Sequence, residues 1–242
     1  MDTSIGTFIK TAAPEIVEIL GLAGLDFVII DAEHAPFGRR ELDLMLLAGR
    51  AAGLPVYVRI PDDRPATILQ ALDVGAVGLI VPHVDTGSQA AAIVRSAKFA
   101  GGDRGFSNSA RFGRYGTTTI EQAVEIGDRA QIICQIESAQ AVASAEEIAA
   151  TAGVSGLLVG RADLALSMGL RTLEADVVRE GAGIALAAAR KHGKLAGIVL
   201  GDPGEMKPWL AAGANLFIFL HDQGLLRKAA TAMTAAARLA II

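Results

Sequence analysis

Phe27-Val28-Ile29-Ile30-Asp31-Ala32-Glu33-His34 is a short apolar run that breaks abruptly into two acids and a histidine. A continuous apolar run of this length reads as a strand buried on both faces, the situation of a parallel sheet covered by helices. A burst of polar residues at the end of such a strand is what an α/β barrel places at its catalytic mouth. The pattern recurs along the chain. Val56-Tyr57-Val58 ends in Arg59, Val77–Val81 is followed by His83, Gln131–Ile136 by Glu137, and Gly156–Val159 by a turn carrying Asp163.

Eight such strands can be read: Ser4–Lys10, Phe27–Asp31, Val56–Arg59, Val77–Val81, Gln131–Ile136, Gly156–Val159, Leu195–Leu200 and Leu216–Leu220. Helical patterns fill the gaps at Pro14–Ala23, Arg39–Ala52, Arg64–Val74, Ser88–Ala97, Ala139–Ala150, Ala175–Lys191 and Gly224–Ala240. Glycines at Gly24, Gly53, Gly75 and Gly213 stand where a helix must end before the next strand, and Gly supplies the left-handed cap there. Repeated βα units with right-handed crossovers predict a (β/α)8 TIM barrel. An open doubly wound sheet is the runner-up, weakened because no phosphate-binding glycine fingerprint follows the first strand. Residues 101–119 form the one long irregular stretch, rich in Gly, Arg, Ser and Thr, and long loops in compact domains are often lids or binding loops.

At 242 residues with 52% hydrophobic side chains, a single barrel domain over residues 1–242 with a large core is expected. A net charge of −4 argues against a nucleic-acid surface. The lone Cys134 lies in an apolar run, which reads as a small core residue in a reducing, cytoplasmic setting. Met1–Lys10 lacks the pattern of a secretory signal, and the apolar runs are too short to span a bilayer.

The strand ends supply the candidate chemistry. Glu137 and Asp163 come from adjacent strands, and two carboxylates brought together repel unless a proton or cation lies between them. A hard divalent ion suits that pair, leaving positions for water and substrate oxygens; helix capping by Ser138 and Asp163 is the bland alternative. Arg59, inside the barrel, offers a planar fork for a carboxylate or a developing enolate oxygen, or pairs with a structural acid. His34 is a candidate proton carrier beside Asp31 and Glu33, against the alternative of a hydrogen-bonded loop histidine. His83, His192 and His221 carry weaker signals, and the arginines of residues 104–114 either clamp an anion or solvate a lid. No lysine stands on the sixth strand, and Lys10 and Lys194 are poorly placed for a Schiff base, so a metal enolate is the better electron sink.

These residues carry a resemblance. The sequence resembles the class II, metal-dependent pyruvate aldolases, a family that includes 4-hydroxy-2-oxoheptanedioate aldolase and the 2-keto-3-deoxy-sugar-acid aldolases. The likeness runs through Asp31-Ala32-Glu33-His34-Ala35-Pro36, Val58-Arg59, Leu72-Asp73-Val74-Gly75-Ala76 and Val81-Pro82-His83-Val84-Asp85-Thr86. It continues in Arg104-Gly105, Gln135-Ile136-Glu137-Ser138, Val159-Gly160-Arg161-Ala162-Asp163-Leu164 and Asp222-Gln223-Gly224-Leu225-Leu226. The resemblance implies a pyruvate-binding barrel with Glu137 and Asp163 as ligands of Mg2+, Mn2+ or Co2+. It implies Arg59 on the 2-oxo oxygen, His34 as proton carrier, Asp73 as its acidic partner from a neighbouring subunit, and Asp31 orienting metal-bound water. Gln135 and the amides of Ala162 and Asp163 would hold the carboxylate of pyruvate, and Leu200 would wall the aldehyde. The implied assembly is a homo-hexamer, a trimer of dimers, often with the last helix exchanged.

Three positions depart from the family pattern: Arg161 stands where Pro is common, His83 where Met is frequent, and Phe219-Leu220-His221 replaces a Gly-Ser pattern before Asp222. The expected reaction is cleavage of a 4-hydroxy-2-oxo acid to pyruvate and an aldehyde, or its reverse. A CoA-thioester lyase of the malyl or citramalyl type and a non-catalytic metal-binding barrel are the rival readings.

Overall fold

Each strand is hydrogen-bonded in parallel to the next, and the last returns to the first, so the sheet closes with no free edge. The structure is a computed structural model that describes residues 2–241. Met1 and Ile242, the outermost residues of the expected domain, lie outside the described residues. The strands are β1 (Ser4–Ile9), β2 (Phe27–Asp31), β3 (Val56–Arg59), β4 (Gly78–Val81), β5 (Gln131–Ile136), β6 (Gly156–Val159), β7 (Leu195–Leu200) and β8 (Leu216–His221). Helices follow the strands and cover the barrel, as the alternation of apolar runs and helical patterns requires. The closed (β/α)8 barrel is therefore the architecture, and the open sheet is excluded.

Side chains alternate across each strand, and the alternation sorts the core into two layers. Phe8, Phe27, Ile29, Ile80, Ile133, Leu158, Leu216 and Ile218 pack together inside the barrel. Their neighbours in sequence, such as Ile9, Val28, Ile30, Leu79, Ile132 and Leu157, pack outward in the larger layer shared with the helices. This is why the strands read as unbroken apolar runs: both faces are buried. Register carries the same parity to the strand ends, with Ile29 opposite Tyr57 and Asp31 opposite Arg59.

The boundaries follow local chemistry. The helix Arg39–Ala52 matches its expected span and ends at Gly53, whose φ of 68° is left-handed, a conformation glycine adopts without steric cost. The single helix expected over Ala139–Ala150 is instead two, Ala139–Ala143 and Ala145–Ala150, broken at Ser144, whose backbone leaves the helical region at φ −97° and ψ 3°. A helix at Ile120–Asp128, opened by a capping box at Thr119 and Gln122, was not among the expected elements.

Residues 101–119 do not lie over the mouth. Arg111 N–H donates to Asp73 O at the end of the helix Pro65–Asp73, and the stretch borders the first residues of β3 and β5. It therefore sits at the opposite end of the barrel, so it is no lid over this chain's own mouth. Three phenylalanines anchor it, with Phe99 packed against Phe106 and Phe112 at ring separations of 5.4 and 5.5 Å.

Candidate active site

The inward-facing charged residues stand at the C-terminal ends of the strands. Asp31 ends β2 and Arg59 ends β3, and both are buried. Arg59 donates from Nε to Asp31 Oδ1 at 3.0 Å, and its Nη2 lies 2.8 Å from Oδ2. Lys10, just past β1, brings Nζ within 2.9 Å of the same Oδ2. The backbone N–H of His34 donates to Oδ1 at 3.1 Å. Burial alone would push the Asp31 carboxyl up, but the Arg59 and Lys10 cations and the His34 amide together hold it down at about 2. Asp31 is thus a permanent anion that fixes two cations at the mouth. The Arg59 guanidinium also lies 4.5 Å from the Phe8 ring centroid, within the range of a cation–π attraction.

A second group of carboxylates stands beside this one. Glu33 Oε2 approaches Arg59 Nε at 3.3 Å and His34 Nε2 at 3.6 Å, and its Oε1 lies 3.3 Å from His83 Nε2. His83 then reaches Glu137, with Nδ1 3.3 Å from Oε2 and the backbone N–H donating to Oε2 at 3.2 Å. Gln135 Nε2 donates to the other Glu137 oxygen. Burial raises the Glu137 carboxyl to about 6, with the charges of Asp163 and Glu33 adding to the rise and the His83 N–H opposing it. His83 adopts a left-handed φ of 55°, rare for a residue with a Cβ and a mark of a site held in shape by its surroundings.

The donor set fits a hard divalent cation. Glu137 and Asp163 repel each other, and Gln135 Oε1 is buried without a hydrogen-bond partner. At Gly160 a Cβ would come within 2.8 Å of Glu137 Oε1, so the missing side chain keeps the space beside that oxygen open. No cage of three or more His, Cys, Asp or Glu is found among the described residues. A two-carboxylate site of all-oxygen donors leaves most positions to water and substrate oxygens.

The structure brings Asp31, Arg59, His34, Gln135, Glu137 and Asp163 to one end of the barrel. Ala162 opens the helix Arg161–Ser167 together with Asp163, so both amides fall in the first turn, where no intrahelical acceptor exists. Asp73 lies elsewhere. It ends the helix Pro65–Asp73 at the far end of the barrel, 2.9 Å from Arg104 Nη2. Leu200 packs in the outer layer, whereas its neighbour Val199 joins the inner one. Arg161 is buried, stacks 5.5 Å from the Trp209 ring, and donates to Glu205 Oε2 at 2.6 Å and Val199 O at 3.3 Å. His221 caps the last helix by accepting from Gly224 N–H at 3.1 Å. Lys10, set aside in the sequence as poorly placed for a Schiff base, and Glu33 and His83, read there as strand-end residues without an assigned role, also join this cluster. The signal for Lys10 was present, since it continues the inward parity of Gly6 and Phe8.

Residues 4–229 match the family model described as HpcH/HpaI aldolase/citrate lyase. A 5-keto-4-deoxy-D-glucarate aldolase of Klebsiella pneumoniae subsp. pneumoniae is 36% identical over 227 residues, spanning 93% of this chain and 88% of that one. The crystal structure of an HpcH/HpaI aldolase/citrate lyase family protein from Burkholderia cenocepacia J2315 superimposes with a TM-score of 0.93 at 32% identity, covering 98% of this chain and 95% of that one. An HpcH/HpaI aldolase from Desulfitobacterium hafniense DCB-2 gives 0.92 at 28% identity, covering 98% and 93%.

Proposed function

The chain belongs to the HpcH/HpaI aldolase/citrate lyase family, and from that premise we propose that it cleaves a 4-hydroxy-2-oxo acid to pyruvate and an aldehyde, or joins the two. The observation that carries this reading is the Arg59–Asp31 fork standing beside the crowded Glu33, Glu137 and Asp163 carboxylates at the mouth. Glu137 and Asp163 would hold a divalent cation, Mg2+, Mn2+ or Co2+. When bound, the cation supplies Lewis-acid polarisation of the 2-oxo group and neutralises the carboxylate cluster.

The chain's own groups divide the remaining work. The amides of Ala162 and Asp163, with Gln135, hold the substrate carboxylate at the start of a helix. Arg59, fixed by Asp31, donates to the 2-oxo oxygen. His34, whose side chain is 53% exposed, takes the proton of the 4-hydroxyl, directly or through one water. The electrons of that O–H bond form the aldehyde carbonyl, the bond between carbons 3 and 4 breaks, and its pair moves into the enolate of pyruvate. The negative oxygen of that enolate faces the Arg59 guanidinium, so the interaction strengthens as cleavage proceeds. Protonation at carbon 3 releases pyruvate, and the His34 proton returns to solvent.

Asp73 enters this scheme only from a second copy, because its own chain places it at the opposite end of the barrel. Assembly of several copies, a hexamer in this proposal, supplies it. The last helix, Asp222–Leu239, exposes Leu226, Met233 and Leu239, which favours its packing on a neighbour. No described helix is long and apolar enough to cross a membrane. We place the enzyme in the cytoplasm, with each chain forming a single barrel domain.

Pyruvate release from a set of 4-hydroxy-2-oxo acids, followed with lactate dehydrogenase and NADH, tests the proposal. Metal-dependent release from at least one member is expected. Release of acetyl-CoA from a malyl thioester, with no pyruvate from any 2-oxo acid, would overturn it in favour of a thioester lyase.

A further inference from the structure

The helix that carries Asp163 begins without a cap of its own. Gly160 stands at the N-cap of the helix Arg161–Ser167, and no side chain caps it. Glycine is required there, because a Cβ would come within 2.8 Å of Glu137 Oε1 and 3.0 Å of Gln135 Nε2. A helix of 7 residues that starts from a glycine is held in place by tertiary contacts rather than by its own propensity.

Arg161 supplies those contacts. Its side chain leaves the first position of the helix and crosses to the end of β7, where Nε donates to Val199 O at 3.3 Å and Nη2 to Glu205 Oε2 at 2.6 Å. The guanidinium lies 5.5 Å from the Trp209 ring centroid, within cation–π range. Glu205 is itself held, since its Oε1 accepts from the N–H groups of Gly201 and Asp202, each at 3.1 Å. The Arg161 side chain is 5% exposed and that of Glu205 34%. A pair buried to this degree adds little net stability over an apolar filling. What it supplies is a fixed separation between the Asp163 turn and the end of β7. None of these contacts reaches Glu137 or Asp163.

We propose that Arg161 is a positioning residue for the metal site: with Glu205 it forms a latch that holds the start of the Asp163 helix against the end of β7, and so sets the approach of the Asp163 carboxylate to Glu137. The inference rests on the assignment of Asp163 as a metal ligand in the proposed function. Asp163 lies in the same first turn as Arg161, so a displacement of the helix start moves its carboxylate directly, while Glu137 stays with β5. The two carboxylates repel each other, and an untethered turn relaxes by moving Asp163 away. A local device produces the same geometry. Proline has a fixed φ that suits the first helical position, and the Arg161 N–H donates to no group among the described residues, so a proline there loses no hydrogen bond.

Titration of the metal-stripped enzyme with Mn2+, followed by electron paramagnetic resonance, tests the latch in wild type, Arg161→Ala, Glu205→Gln and Arg161→Pro. Arg161→Ala should weaken Mn2+ binding about tenfold, the lower end of what loss of an outer partner of a metal site causes. Glu205→Gln, which keeps an oxygen for the Gly201 and Asp202 amides, should weaken it in the same direction but less. Arg161→Pro loses the ion pair as completely as Arg161→Ala, yet it should bind Mn2+ close to wild type, with the two variants melting at similar temperatures by circular dichroism. That split separates positioning from stability. Wild-type affinity in Arg161→Ala or in Glu205→Gln, or equal weakening in Arg161→Ala and Arg161→Pro, would overturn the latch while leaving Asp163 a ligand. A wild type that binds Mn2+ no more tightly than Asp163→Ala would overturn the ligand assignment, and the latch with it.

Discussion

Arg59 and Asp31 are register partners at the ends of adjacent parallel strands, and the guanidinium meets the carboxylate twice, at 3.0 and 2.8 Å. The pair is side-on, through Nε and Nη2, so Nη1 has no protein partner among the described residues and is the donor available to a ligand oxygen. Asp31 is also touched by Lys10, so the anion is compensated even when Arg59 is engaged elsewhere. Such an arrangement preorganises a cation at the mouth without requiring a conformational change during reaction.

Acid should weaken the fold through Asp31. Its folded value of about 2 lies below the ordinary 3.8, so the stabilisation is complete above about pH 4 and is lost as pH falls towards 2. The contribution is about 2 kcal/mol. Urea unfolding of wild type and Asp31→Asn between pH 5 and 2.5 checks this: the gap between the two should close with acid, and a gap independent of pH would refute it.

Replacing Arg59 by Lys keeps a charge beside Asp31 but loses the fork. The expected result is a fall in kcat of about 10²–10³ with a melting temperature within a few degrees of wild type, read by steady-state kinetics and circular dichroism. Arg59→Ala should instead destabilise the fold by about 3 kcal/mol, because half of a buried pair is removed.

Asp163→Ala should abolish pyruvate release while the barrel persists, since Asp163 opens a short helix and is only half-buried. Titration of Mn2+ followed by electron paramagnetic resonance should show affinity reduced at least about tenfold, in line with removal of one of two carboxylate ligands.

Cys134 is fully buried on β5, and burial pushes its thiol up to about 12. The native enzyme at pH 8 should therefore leave an aromatic disulfide reagent unreacted, and one thiol per chain should appear only on denaturation. Rapid reaction of the native enzyme would place the residue elsewhere.

The barrel was legible because every strand is buried on both faces, which writes an unbroken apolar run ending in a polar residue. Five strand boundaries agree with the sequence reading, and the others differ by a residue at one end. Asp31 and Arg59 were legible for the same reason, as the polar ends of β2 and β3, whereas Gln135 entered only through the family resemblance, although parity along β5 takes it inward. Contacts that depend on register between distant strands were not. Lys10 was set aside as a Schiff-base candidate, and nothing local shows that it meets Asp31. Glu33 becomes the link between Arg59 and His83 only once β2, β3 and β4 are side by side. Leu200 was assigned to the aldehyde wall from its place at a strand end, but its parity turns it outward. The far position of residues 101–119 follows from the helix Gly87–Ala97 running back down the barrel, which composition alone does not convey.

On the function proposed here, this mouth stabilises the enolate of pyruvate with the help of a divalent cation. Proton–deuterium exchange at the pyruvate methyl group, followed by NMR with metal-stripped enzyme and then with added Mg2+ or Mn2+, tests it without knowledge of the aldehyde. Exchange that requires the metal and is lost in Asp163→Ala is the predicted result. No exchange with any metal, or exchange at full rate in the stripped enzyme, would contradict it.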